Sequence, residues 1–368
     1  MSAPTARIAI VHDWLTGMRG GERVLDAVCE RFPDAEIFTL LHVPGSVSPR
    51  IERHRIHTSA LQHLPGVSRY YRQCLLLFPA LVEQFGFDRF DLVISSSHCV
   101  AKSVIVPPRI RHICYCHTPM RYAWDQFDAY FGPDRVGRVG SWAMRLAMAY
   151  LARWDRDTSG RVDRYVTNSQ HVAGRIRRYY NRDATVVYPP VETDFFTPAT
   201  TATEGGRYAL VVSALVPYKR IDIAIDGARL AGIPLKIVGD GPERARLQRA
   251  AGPNATFLGR RSDDDIRELY RHAAVTLLPG EEDFGIVPVE AQACGRPVVA
   301  LARGGATETV IDGKTGVLVD DPSAPAFADG ISRALAASFD RAVIRRNAER
   351  FSRARFINEI AALVEASR

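Results

Sequence analysis

The chain predicts an α/β protein of two parallel-sheet domains facing a central cleft. Three observations carry that prediction. Short apolar runs alternate with helix-period stretches along most of the sequence, the pattern of repeated βα units. The alternation is interrupted once, by a stretch rich in proline, threonine and glycine that begins at Tyr188 and reads as a linker. At 368 residues, 46% hydrophobic and 24% charged, the chain can give each half a core of its own. The expected divisions are a first domain over 1–188, a linker over 189–206, a second domain over 207–350 and a terminal segment over 351–368.

Residues 7–14 (RIAIVHDW) form the first expected strand. A glycine-bearing loop, 15–23, follows and leads into a helix. Strand, then Gly20-Gly21, then helix N-terminus is an arrangement suited to anions, because bare backbone amides and the helix dipole face the same way. A glycine pair is equally the mark of a tight turn. Strands follow at 36–41, 91–96, 112–117, 164–169 and 185–188. Between the second and third, residues 68–87 (SRYYRQCLLLFPALVEQFGF) are basic and aromatic, then strongly apolar. They read as a packed helix interrupted by Pro79, or as a segment lying on a membrane surface. His117 ends its strand before a Thr-Pro turn and the residues Arg121, Tyr122 and Trp124; it is either structural or catalytic. Residues 138–161 read as one long helix.

Beyond the linker, strands are expected at 208–213, 234–238, 256–258, 275–278, 297–301 and 316–319, with helices between them. Residues 351–366 read as an amphipathic helix. Lys219 and Arg220 follow the first of these strands, where two cations oppose the dipole of the helix they begin. Gly239-Asp240-Gly241 follows the second but lacks the third glycine of a dinucleotide fingerprint, which places an NAD oxidoreductase low. Asp263, Asp264 and Asp265 after Ser262 read as a helix start without chemistry.

Charge is uneven. Residues 1–190 hold 25 Lys and Arg against 17 Asp and Glu, and residues 191–368 hold 23 against 24. A basic first half suggests an anionic partner. No nucleic-acid motif accompanies it, so lipid phosphate or an anionic membrane surface is the better match. The longest apolar run, 75–82, is far short of the roughly 18 residues of a membrane span, and no apolar leader precedes the first strand. The expected location is cytoplasmic, or peripheral on the inner face of the plasma membrane. The six cysteines include no C-x-x-C pair and read as free thiols, and no metal site is expected.

The most informative stretch is Leu278–Val299, LPGEEDFGIVPVEAQACGRPVV. A strand turns through Pro279-Gly280 into an acidic cluster, Glu281, Glu282 and Asp283, then Phe284, Gly285 and a helix carrying Glu290. Glu282 sits in the loop and Glu290 inside the helix, both at the carboxyl edge of a parallel sheet, where open α/β folds bind ligands. Acidic residues at a helix mouth also simply complement its dipole.

This E-x7-E spacing before A-C-G-x-P-V-V, with Gly304, Gly305 and Glu308 downstream, resembles the donor-site signature of family 4 retaining glycosyltransferases of GT-B fold. The resemblance extends to Gly20-Gly21-Glu22-Arg23, to HTPMRYAWD around His117 and to SALVPYKRID around Lys219. It implies two Rossmann-like domains about a cleft and a terminal helix crossing back to the first. It further implies that Glu290 binds the ribose hydroxyls, Glu282 the donor sugar, and Lys219 and Arg220 the diphosphate. His117 would lie beside the reacting carbon, and Gly20, Gly21, Ser213, Gly239, Asp240, Phe284 and Gly285 near the donor. Catalytic roles fall to His117, Glu282 and Lys219. The family pattern has an arginine where this chain has Ala214, so the diphosphate rests on fewer cations. No D-x-D is present, and metal independence, with no cofactor, is the family expectation. The donor expected is GDP-mannose and the acceptor a polyprenyl-diphosphate-linked or other oligosaccharide, in surface polysaccharide synthesis. A GT-B epimerase or hydrolase, and a catalytically silent sugar-nucleotide-binding protein, are the alternatives.

Overall fold

The computed structural model describes residues 6–199 and 208–367; the expected linker's residues 200–206 lie outside them. The chain divides into two compact units, one running to Pro190 and resuming at Phe356, the other spanning Val191–Arg355.

The first unit is built on a parallel sheet of seven strands: β1 (Ile8–His12), β2 (Glu36–Thr39), β3 (Ile56–Thr58), β4 (Leu92–Ser97), β5 (Arg111–Cys116), β6 (Arg164–Thr167) and β7 (Ala184–Val186). Their order is β3-β2-β1-β4-β5-β6-β7, so strand order reverses between β1 and β4. β3 was absent from the sequence reading: three half-buried residues at a sheet edge carry too little apolar signal. Cores lie on both faces. One gathers Ile10, Leu25, Ile37, Tyr115 and Val166, and the terminal helix Arg353–Glu365 adds Phe356, Ile360, Leu363 and Val364 to it.

The other core contains Val11, Trp14, Phe78, Val93 and Leu151. Residues 68–87 contribute to it through Tyr71, Leu75, Phe78 and Val82. They form a 3-10 stretch, Tyr71–Leu77, and a short helix, Phe78–Val82, which Pro79 helps to open rather than interrupt. Proline is harmless there because first-turn amides have no helical acceptor. The expected helix 138–161 lies within Pro133–Asp157 and its continuation: the helix breaks at Gly137, whose φ is 74°, runs on to Asp157 and passes into a 3-10 turn at Thr158–Arg161.

The second unit has a six-stranded parallel sheet: β8 (Ala209–Val212), β9 (Leu235–Val238), β10 (Ala255–Gly259), β11 (Val275–Leu278), β12 (Val298–Leu301) and β13 (Gly316–Val319). The order β10-β9-β8-β11-β12-β13 reverses between β8 and β11. Residues 191–199 are packed into this unit, where Val191 pairs with Ser352 and Glu192 holds Arg353 at 2.7 Å. Ser262 caps the helix Asp263–His272 and Asp265 closes a capping box, so the three aspartates do start a helix. Each sheet thus has one reversal, between β1 and β4 in the first and between β8 and β11 in the second.

Candidate active site

In the second unit the loops after β8 and β11, the two strands beside the reversal, lie against each other. A Cβ on Gly280 would stand 2.6 Å from the Tyr218 carbonyl oxygen and 2.8 Å from Lys219 Cα, so only glycine allows this approach. The loop after β12 closes on the same place. Gly305 N donates to the Glu282 carbonyl at 2.8 Å, and a Cβ on Gly305 would sit 2.3 Å from Phe284 Cα. These backbone contacts set where Lys219 and Glu282 point. Lys219 Nζ donates to Glu282 Oε1, and both side chains are largely buried. Cation and carboxylate from loops sixty-three residues apart are therefore immediate neighbours.

Arg220 turns elsewhere. It occupies the left-handed region (φ 48°) at the entry to the helix Ile221–Leu230, and its guanidinium meets Asp222 at 3.3 Å in an exposed position. Ala214 is exposed in the same loop. Ser213 Oγ donates to the Ala214 carbonyl at 3.1 Å, and Gly239 (φ 126°) packs on the Ser213 backbone. Asp240 caps its own turn by accepting from Gly241 N at 2.9 Å. Phe284 is buried edge-on to Phe351 at 5.4 Å, so its ring belongs to the core, and Gly285 (φ 87°) starts the helix Ile286–Ala293. Glu290, on that helix, is buried and accepts from the Tyr270 hydroxyl at 3.1 Å. A hydrogen-bonded buried carboxylate keeps a fixed orientation, which suits a group that must grip paired hydroxyls.

In the first unit the loops after β1, β4 and β5 assemble a second cluster. Asp13 is fully buried and accepts four backbone amides, those of His98, Cys99, Val100 and Ala101, at 2.7–3.0 Å. The same carboxylate lies 3.0 Å from His98 Nδ1, and Trp14 meets that ring edge-on at 4.6 Å. Ser96 Oγ stands between two histidines, 2.8 Å from His117 Nε2 and 3.1 Å from His12 Nδ1. The other nitrogen of His12 lies 3.9 Å from Glu22 Oε1. Gly20 and Gly21 begin the helix Gly20–Arg31 rather than preceding it, and Gly21 faces the His12 and His117 rings.

Burial, followed by the neighbouring His98 and His12 rings, pushes the His117 pKa down to about 3. Its ring is therefore neutral near pH 7, with Nε2 committed to Ser96. The loop after it is bolted down: Trp124 Nε1 donates to Asp155 at 2.8 Å, Tyr180 donates to the same carboxylate at 2.8 Å, and buried Lys102 neutralises it at 2.9 Å. Tyr179 and Arg175 both hold Asp125. Asp13, His12, Ser96 and Asp155 escaped the sequence reading. Only the position of HDW and SSSH at strand ends could have marked the first three.

Burial pushes His112 down to about 4, against the hydrogen bond to the Arg161 carbonyl at 3.0 Å, which favours the protonated ring; Ser95 Oγ lies 2.8 Å from its other nitrogen. The unfolded chain protonates this ring near 6.5 and the folded one only near 4, so stability is full above pH 6.5 and falls as pH drops toward 4. The loss expected from this residue is about 2 kcal/mol by pH 5. Denaturant titrations at pH 7 and pH 5 check it: wild type should lose more than His112→Asn by that margin, and equal losses would contradict it.

None of the six cysteines is in a disulfide. Among the described residues, no group of three or more His, Cys, Asp or Glu side chains is arranged to hold a metal ion.

Comparison with known proteins adds independent findings. Residues 18–195 match the family model described as Glycosyltransferase Family 4, and residues 193–351 that described as Glycosyl transferases group 1. A D-inositol 3-phosphate glycosyltransferase of Mycobacteroides abscessus is 33% identical over 214 residues, 51% of this chain and 48% of that protein. Its counterpart in Mycolicibacterium smegmatis is 33% identical over 198 residues, covering 47% and 45%. The chain spans about half the length of the curated relatives it matches. Among solved structures, Anabaena Alr3699/HepE in complex with UDP superposes with a TM-score of 0.69 at 16% identity, covering 98% of this chain and all of that one. The lipopolysaccharide outer core galactosyltransferase WaaB gives 0.68 at 17%, with coverage of 98% and 100%.

Proposed function

The chain belongs to glycosyltransferase family 4, with the GT-B fold, and from that premise we propose that it transfers a sugar, with retention, from a nucleoside-diphosphate sugar to a glycan acceptor. The observation that carries this reading is the Lys219–Glu282 pair beside the strand-order reversal. In a sugar nucleotide the β-phosphate is bonded directly to the sugar's anomeric carbon through one oxygen. A cation for that phosphate and a carboxylate for the sugar hydroxyls must therefore be neighbours, as Lys219 and Glu282 are.

In this mechanism the bond between the anomeric carbon and the phosphate oxygen breaks, and Lys219 stabilises the charge that accumulates on the departing diphosphate. Glu282 orients the sugar and Glu290 the ribose. The role we give His117, neutral and with Nε2 bonded to Ser96 in its own unit, is the one the family resemblance implies, at the sugar near the reacting carbon. The acceptor hydroxyl forms the new bond and gives up its proton to the departing phosphate oxygen.

Mannose from GDP-mannose and a polyprenyl-diphosphate-linked glycan are the partners we favour, on the strength of HTPMRYAWD, SALVPYKRID and the basic first half. The UDP held by the Anabaena neighbour favours a uridine donor as the second reading. The phosphorylated inositol named for the curated relatives is, like a lipid diphosphate, an anionic acceptor. Nucleotide release from GDP- and UDP-sugars, with and without a lipid-linked or phosphorylated acceptor, tests the proposal. Release that requires an acceptor supports it. Release at the same rate without one indicates a hydrolase or epimerase, and binding without release a silent receptor.

A further inference from the structure

The largest group of exposed apolar side chains lies on the helix Pro133–Asp157 of the first unit. Val139, Trp142, Leu146 and Tyr150 are 81%, 65%, 57% and 56% exposed, against the buried Ser141, Met148 and Leu151 on the opposite face. Their spacing of three, four and four residues keeps them within an arc of roughly 80° on a helix of 3.6 residues per turn. Tyr130 and Val136 extend the exposed group just before the break at Gly137. Monomeric surfaces scatter such residues singly; a row of four marks something that covers it.

The charge on this helix says what does. The helix itself carries Arg135, Arg138, Arg145, Arg153 and Arg156 against three acids, of which Asp155 is buried on Lys102 at 2.9 Å and Asp157 lies 3.7 Å from Arg153. Arg138, Arg145 and Arg156 run along one flank of the stripe, and Arg153 sits at its far end. Arg145 is held by Asp128 at 3.1 Å and Arg156 lies over the Trp124 ring at 5.2 Å, so the flank is ordered. A hollow lined by Pro79, Ala80, Tyr150 and Arg153 brings the short helix Phe78–Val82 alongside, directly after the exposed Leu76 and Leu77. Tryptophan, tyrosine and leucine between arginines suit the boundary of acyl chains and anionic headgroups. Among the described residues no helix is long and apolar enough to cross a membrane, and this one is apolar on one side only.

We propose that the helix Pro133–Asp157 docks the protein flat on an anionic phospholipid bilayer, with Val139, Trp142, Leu146 and Tyr150 in the headgroup–acyl boundary and the arginines on phosphate. A second copy of the chain fits less well. A two-fold interface would set the same arginine-flanked stripe against itself, bringing like charges together. The expected segment 68–87 is then mainly core, with Leu76 and Leu77 at the edge of the docking face.

The test uses the full chain and needs neither donor nor acceptor, so its outcome is separate from that of the transferase assay. Sedimentation with phosphatidylcholine vesicles, alone or mixed with phosphatidylglycerol, should show binding to the mixed vesicles at low salt that weakens at high salt. Trp142→Glu with Leu146→Glu should lower that partitioning at least about tenfold, with the thermal melt unchanged because both side chains are exposed. Should that variant fold poorly, brominated lipid supplies the readout: it should quench wild-type fluorescence and quench Trp142→Phe markedly less. Absence of binding at low salt, binding indifferent to these changes, or a dimer that the double substitution dissolves without any vesicle binding would each overturn the proposal.

Discussion

Lys219→Ala is expected to lower kcat by about 100-fold or more, the scale on which removal of one preorganised charge-stabilising donor is felt. The ammonium is largely buried, stands on a loop whose backbone Gly280 meets closely, and has Glu282 as its neighbour. Such a group needs no reorganisation as negative charge grows on the departing phosphate. The fall should appear in kcat more than in KM, because the interaction strengthens toward the transition state. Arg220 is the comparison. Exposed, and engaged with Asp222 at 3.3 Å, it should change the rate by less than about twofold when replaced by alanine, as most exposed charges do. Ala214 is exposed in the same loop, and Ala214→Arg should partly restore the Lys219→Ala enzyme by returning a cation to it. Steady-state kinetics on these variants, with melts recorded beside them, separate catalysis from folding. A fully active Lys219→Ala enzyme would remove the diphosphate from this loop, and equal losses at Lys219 and Arg220 would show two cations sharing the work.

How much of this was legible beforehand depended on how local each signal is. The strands beside each reversal open on short apolar runs, and they stand where expected to within one or two residues, as β1 and β11 show. The E-x7-E stretch and the Lys219 loop could be located because strand end, loop and helix start are contiguous. What the chain conceals is what meets across distance. Nothing near Lys219 announces Glu282, and nothing near Trp124 announces Asp155; both pairs are products of strand order. Asp13 was overlooked for the same reason, since its acceptors are the backbone amides of 98–101, and amides carry no sequence signature. Phe284 shows the limit of a motif: its place in the resembled signature puts it in the donor loop, but only the structure shows that its ring packs inward against Phe351. Residues 68–87 read as a packed segment or as one lying on a membrane, and the buried Tyr71, Leu75, Phe78 and Val82 account for most of their apolar pattern as packing. The exposed stripe at 139–150 escaped because exposure, unlike periodicity, depends on which face the rest of the unit covers.

The two glutamates bear on the central claim most directly. Glu290 is buried and fixed by Tyr270, whereas Glu282 stands in the loop against Lys219. If Glu290 grips the ribose and Glu282 the sugar, their isosteric amides should part company on one ligand, the free nucleoside diphosphate. Glutamine preserves the shape and most of the packing while removing the charge that strengthens a hydrogen bond, a change worth about 1.5–3 kcal/mol when the partner is a hydroxyl in a buried site. Calorimetric titration of GDP and UDP, then of the matching sugar nucleotides, into wild type and both variants is the deciding measurement. Glu290→Gln should weaken free nucleotide and intact donor alike, by about tenfold or more. Glu282→Gln should leave free nucleotide affinity within about twofold and weaken only the intact donor. Equal loss of free nucleotide affinity in both variants, or a wild-type protein that binds none of these nucleotides, would contradict the account.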